Sequence, residues 1–278
     1  MSHPSRVLAL AAALAAGLAL PLSAKTPPAP PATVAHAPDA AARFAAYGHA
    51  GTFLLQRDGR PAEVIHGATL ADAPLRPAST FKVMLGLVAL ETGALKSADE
   101  VVRWDGTRYP EHADWQRDMA LREAMQTSSE PFFRSVAARI GRDRLAAWVQ
   151  KVGYGNGRIG DDATHAWHDG VLTATPRQQV TFVDRLRRGD LPFSAKTIAS
   201  VKAAMRGDTV GGMQLYGKTG TFTNDDGSTK VWWIGWVEGP RGRASFALAS
   251  TPKRDKDLGK RIALGKALLA DAGLLPRK

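Results

Sequence analysis

Pro77-Ala78-Ser79-Thr80-Phe81-Lys82, continued by the apolar run VMLGLVALETG to Gly93, is the stretch on which the reading of this chain turns. The run predicts a helix that stops near Gly93. Ser79 would then sit at its start, where unpaired backbone N–H groups and the positive end of the dipole favour a developing alkoxide. Lys82 follows three residues later, on the same face about one turn on, so a proton can pass between the two side chains. Its neighbours Phe81, Val83, Met84, Leu85, Leu87 and Val88 leave little polar surface. Burial among them lowers a lysine's pKa and yields a neutral, basic amine. Alone, S-x-x-K recurs by chance in helices, with the serine a cap and the lysine reaching water along its stem.

Outward from that helix the pattern is mixed. Upstream, residues 51–67 read as two short strands about an Asp58-Gly59 turn. Downstream, residues 94–205 read as a mostly helical insertion, with Gly141 and Gly153 as C-caps and Thr175-Pro176 opening a helix. After Met205 the runs QLYGKTG, KVWWIGWVE and ASFALAS are strand-like, parted by turn clusters at 224–227 and 239–242. A last amphipathic helix is expected from about Leu258 to Ala272. Strands at both ends of a helical insertion imply an α+β fold: one antiparallel sheet assembled from distant segments and flanked by helices. On one of those strands lies Tyr216-Gly217-Lys218-Thr219-Gly220, where Lys218 and Thr219 can hold a substrate carboxylate and Gly220 lets a flat acyl group lie against the strand.

Composition narrows the function classes. The chain has 278 residues, 44% of them hydrophobic, which suffices for a substantial core and excludes fibrous and disordered classes. The net charge of +11 is spread among acidic residues without a basic run, so no nucleic-acid partner is expected. Arg6, the apolar stretch Val7–Leu20 and the small residues up to Ala24 read as a secretory signal, 1–24, cleaved near Ala24. That stretch is too short for a spanning helix, so no stable membrane insertion is expected once it is removed. Residues 25–43, rich in Pro and Ala, read as a flexible leader to a single domain over 44–278. Cysteine is absent, which rules out disulfides and thiol chemistry and, with export, points to a periplasm. The seven histidines are scattered, and no metal is expected.

With Ser79-Thr80-Phe81-Lys82 and Lys218-Thr219-Gly220 in this order, the chain resembles the class D (oxacillinase-type) serine β-lactamases. Trp104-Asp105-Gly106, Ala124-Met125, Tyr154-Gly155-Asn156, Trp167 and Trp232-Trp233-Ile234-Gly235-Trp236 follow the family's order and approximate spacing. The resemblance implies the β-lactamase/penicillin-binding-protein transpeptidase-like fold and a small-molecule β-lactam substrate. Ser79 would be the nucleophile, and Lys82 would carry a carbamate (N6-carboxylysine) as general base. Carbon dioxide or bicarbonate would be its source, with no other cofactor. Trp167 would hydrogen-bond that carbamate, and Ser128 would relay a proton to the leaving nitrogen. Lys218, Thr219, Gly220 and Thr221 would bind substrate, with Arg261 as helper, against Arg254, Lys256 and Lys260 nearby. The backbone N–H groups of Ser79 and Thr221 would form the oxyanion hole. A monomer or homodimer is expected. The chain departs from the family in two places. Ser128-Ser129-Glu130 stands where Ser-x-Val is usual, and His168-Asp169 follow Trp167 where apolar residues are common. Glu130 is open to two readings: facing the site, where it would alter water access or substrate range, or pointing outward. The rival function is a same-fold penicillin-binding or β-lactam-sensing protein that acylates without efficient turnover.

Overall fold

The computed structural model describes Met1 and residues 40–277, so the expected signal segment and most of the expected leader lie outside the described residues. Six strands form one antiparallel sheet in the order β2-β1-β6-β5-β4-β3. They are β1 His49–Arg57, β2 Glu63–His66, β3 Arg206–Val210, β4 Met213–Thr223, β5 Thr229–Gly239 and β6 Gly242–Pro252. Between β2 and β3 come α2 Lys82–Glu91, α3 Leu121–Thr127, α4 Glu130–Ile140, α5 Arg142–Val152, α6 Pro176–Arg188 and α7 Ala195–Ala204. Helices α1 Ala40–Ala46 and α8 Arg261–Asp271 bracket the sheet in sequence. The α+β architecture read from the sequence is the one observed.

Alternation along the strands sorts side chains onto two faces. Phe53 and Leu55 of β1, Trp233 and Val237 of β5, and Phe246 and Leu248 of β6 join α1 and α8 in one core. Leu54, Trp232, Ile234, Trp236, Ala247 and Ala249 face the other way, into a larger core shared with α2–α7. Helix α2 is buried from Lys82 to Ala89, because it runs through that second core instead of along its surface. Its lysine therefore starts inside the protein.

Three expectations are corrected. Ala40–Arg43, placed in the leader, belong to α1: Ala40 is buried, and the Arg43 guanidinium makes two hydrogen bonds to the Asp271 carboxylate on α8, at 2.8 and 2.9 Å. The helix at Ser79 begins as a 3-10 turn, Ala78–Phe81, before α2 takes over at Lys82. The expected last helix divides likewise, into a 3-10 stretch Asp255–Lys260 and α8. Among the described residues no helix is long and apolar enough to cross a membrane.

Candidate active site

The 3-10 turn carrying Ser79 repeats every three residues, so Ser79 and Lys82 eclipse each other on one side. The turn is braced from within. Thr80 Oγ1 donates to the Pro77 carbonyl at 2.6 Å and accepts from Gln179 Nε2 at 2.8 Å, while Trp232 Nε1 donates to the Arg76 carbonyl at 2.9 Å. Ala78, just before the serine, has φ 47, a left-handed conformation that costs a non-glycine residue energy and recurs at functional turns. Strand β4 lies against this turn at Gly220, where an added Cβ would meet the Pro77 carbonyl at 3.1 Å and Thr80 N at 3.3 Å. Gly220, assigned to substrate from sequence, is thus first a condition for bringing Lys218-Thr219-Gly220 up to Ser79.

Ser128 joins the two lysines. It caps α3 in the left-handed region, φ 59, which turns its carbonyl and side chain in different directions. Lys82 Nζ donates to the Ser128 carbonyl at 2.7 Å, and Lys218 Nζ donates to Ser128 Oγ at 2.8 Å. Burial pushes the Lys218 ammonium well below the usual lysine range, helped by the charges of Lys82 and Arg261. Arg261, the first residue of α8, is close enough to act on Lys218, and its buried Nε has no partner among the described residues. Its rivals Arg254 and Lys260 are both engaged with Asp257. A groove of about 350 Å³ runs along Lys218 and Thr219, with Arg206, Asp208 and Lys266 also on its walls and Lys266 donating to Asp208 at 2.8 Å.

Strand pairing fixes which way the β4 N–H groups point. Gly217 N donates to the Met205 carbonyl at 3.0 Å, on the edge of β4 away from β5. The two-residue period puts the N–H groups of Thr219 and Thr221 on that same edge. The pairing of β3 with β4 ends at Tyr216, leaving this half of the edge open.

Of the two readings left open for Glu130, the structure takes the one that faces the site. Glu130 is the first residue of α4, whose N-cap Ser129 accepts from Phe132 N at 3.4 Å. Glu130 Oε2 lies 2.6 Å from Lys82 Nζ, with the two side chains 9% and 0% exposed. Oε1 accepts from Trp167 Nε1 at 2.9 Å and lies 3.0 Å from His168 Nε2. Trp167, expected to bond a lysine carbamate, is thus in place but bonded to a glutamate. Burial alone would raise the Glu130 carboxyl, but the His168 hydrogen bond and the Lys82 charge outweigh it and hold the group well below the usual carboxylate range. Burial pushes Lys82 down against the opposing pull of Glu130. The rings of Trp115, Phe133 and Trp167 surround its Nζ at 5.8, 5.6 and 6.0 Å. Trp115, which the sequence did not single out, is held by Nε1 donating to the Thr127 carbonyl at 2.9 Å.

Tyr154-Gly155-Asn156 fixes the loop that carries Trp167 and His168. Asn156 N donates to the Thr173 carbonyl at 2.9 Å, and its Nδ2 donates to the Val171 carbonyl at 2.8 Å. Gly155, at φ 57, lies so close to the Thr173 carbonyl that a Cβ would sit 2.2 Å from it.

This arrangement has relatives. The model of the penicillin binding protein transpeptidase domain matches residues 61–269. β-Lactamase OXA-20 of Pseudomonas aeruginosa is 33% identical over 236 residues, 84% of this chain and 86% of that protein. β-Lactamase OXA-2 of Salmonella typhimurium is 35% identical over 201 residues, 72% and 71% of the two chains. Among solved structures, a class D β-lactamase from Nostoc superposes with TM-score 0.80 at 31% identity, covering 85% of this chain and 99% of that one. The C-terminal domain of the Bacillus licheniformis BlaR penicillin receptor superposes with TM-score 0.81 at 28% identity, covering 89% and 100%. By these matches the chain belongs to the penicillin binding protein transpeptidase domain family and, within it, to the class D β-lactamases.

Proposed function

We propose that the protein is a serine β-lactamase that opens penicillins and related β-lactams on Ser79 and hydrolyses the resulting acyl-enzyme. The observation that carries this reading is the convergence of Lys82 and Lys218 on Ser128, one on its carbonyl and one on its hydroxyl. A base beside the nucleophile, a hydroxyl in reach of the leaving nitrogen and a buried cation for the substrate carboxylate are the parts that acyl transfer from a lactam requires. The Thr221 and Ser79 N–H groups would hold the carbonyl oxygen as it becomes anionic, each such donor contributing about 3 kcal/mol. The apolar segment 7–20 supports export and action in a periplasm.

A second reading has its own support. The similarity to the BlaR penicillin receptor domain, with a buried glutamate on Lys82, suits a protein that acylates without efficient turnover. One experiment separates the two. Purified protein is mixed with a penicillin and a chromogenic cephalosporin, following product by absorbance and the adduct by mass spectrometry. Catalytic turnover is the expected outcome, and a stoichiometric, long-lived adduct on Ser79 would move the assignment to a receptor. Ser79→Ala should give neither adduct nor product, and an adduct on that variant would remove Ser79 from the role.

A further inference from the structure

Glu130 holds the place and the partners that the family resemblance gives to a carbamate on Lys82. We propose that Glu130 replaces that carbamate: Lys82 stays an unmodified amine, and Glu130 is the proton-holding partner that lets it activate Ser79. The role of Lys82 toward Ser79 rests on the acyl-enzyme reading above.

The geometry is closed. Glu130 Oε2 is on Lys82 Nζ at 2.6 Å, while Oε1 takes the Trp167 indole N–H at 2.9 Å and faces His168 Nε2 at 3.0 Å. Arg134 Nε stands 3.8 Å from the same oxygen. Lys82 Nζ commits two of its three hydrogens, to Glu130 and to the Ser128 carbonyl. The product of carbon dioxide with Nζ would set a second carboxylate beside Glu130, among the rings of Trp115, Phe133 and Trp167. Two carboxylates sharing a buried site disfavour each other's charge. A carbamate there would compete with Glu130 for the Trp167 donor and meet its charge.

The same contact supplies a base. Moving one proton from Lys82 Nζ to Glu130 Oε2 converts an ammonium–carboxylate pair into an amine and a carboxylic acid with no change in net charge. The Lys82 charge that helps hold Glu130 ionised leaves with that proton, and burial, which disfavours both charged forms, favours the neutral pair. The freed Nζ lone pair takes the Ser79 Oγ proton as Oγ bonds to the lactam carbonyl carbon. The ring C–N bond then breaks, and its nitrogen receives that proton from Nζ through Ser128 Oγ. Proton and electron pairs balance, and no carbon dioxide is consumed.

The test uses the whole protein and reads acylation, which is independent of whether turnover follows. Wild-type protein equilibrated with 13C-labelled bicarbonate should show no carbamate resonance. Its acylation by a fluorescent penicillin should proceed at the same rate with bicarbonate stripped or added. Glu130→Val, which opens the pocket, should acquire the resonance, and bicarbonate should raise its acylation rate by about tenfold or more, the scale of a general base restored. A carbamate resonance in the wild type, with acylation that falls when bicarbonate is removed, would overturn the proposal. So would a folded Glu130→Val that acylates like the wild type and gains no response to bicarbonate. If the variant does not fold, the wild-type resonance decides alone. If no adduct forms on Ser79 under any condition, the acyl-enzyme reading fails, while the resonance still reports on Glu130.

Discussion

Trp167 has two duties that its fully buried ring alone does not separate: it packs in the larger core, and its indole N–H serves Glu130. Trp167→Phe keeps most of the ring and deletes the donor. Hydrogen bonds to charged groups contribute about 1.5–3 kcal/mol, so urea unfolding should show a loss of that order, with β-lactam turnover slowed as Glu130 loosens. A variant as stable and as active as the wild type would reduce Trp167 to core packing. At this scale the sequence was most informative where a motif constrains backbone and chemistry together. Ser79, Lys82, Ser128 and Lys218 were singled out from sequence, and the structure joins Lys82 and Lys218 through Ser128 and seats Ser79 one turn before Lys82. Glu130 was visible as a departure with two readings, inward and outward, and its contacts with Lys82 and Trp167 were not legible. Its direction depends on the left-handed turn at Ser128, which a residue pattern does not report, and on its position as the first residue of α4.

The elements were legible to the extent that their own residues decide them. The β1–β2 hairpin, the runs that became β4, β5 and β6, and the Thr175-Gln178 capping box that opens α6 all follow from local chemistry. Strand β3 was not foreseen, because Arg206–Asp208 and Thr209 are exposed and carry no alternation; it exists through its pairing with β4. Arg43 looked like leader because its tie to Asp271 spans almost the whole chain. The Tyr154-Gly155-Asn156 element was legible as a motif and becomes intelligible only in three dimensions, as the clasp on the Trp167 loop. Asn156→Ala removes the bond to the Val171 carbonyl, at a cost of about 1 kcal/mol. Amide hydrogen exchange across residues 165–171 should accelerate while α5 and α6 keep their protection. Unchanged exchange in the loop would mean that the backbone bond from Asn156 N suffices.

For the molecule as a whole, the net charge of +11 matters less than the cations gathered at one place, Lys82, Lys218 and Arg261, of which Lys82 alone forms an ion pair among the described residues. Lys218 is 3% exposed, and its charged form is disfavoured first by burial and then by its two cationic neighbours. Its folded-state pKa therefore lies well below the unfolded 10.5, and the sign follows directly. Between those two values the unfolded chain holds a proton that the folded chain has released, so stability attributable to this group rises with pH across that window. Below the window the folded protein must carry the buried charge. Lys218→Met, similar in length and uncharged, removes that cost, and replacing buried charges by well-packed apolar residues is often neutral or stabilising by about 1–4 kcal/mol. The variant should thus unfold at a higher temperature than the wild type at neutral pH, and its advantage should shrink as pH is raised toward 10.5. Its acylation by penicillins should fall sharply, because the cation that the fold strains to keep is the one facing the groove where the substrate carboxylate would lie. Calorimetry of both proteins across pH, beside acylation rates, checks the two halves together. A variant less stable than the wild type at neutral pH would mean that the bonds of Lys218 to Ser128 Oγ and the Thr219 carbonyl outweigh the cost of its burial.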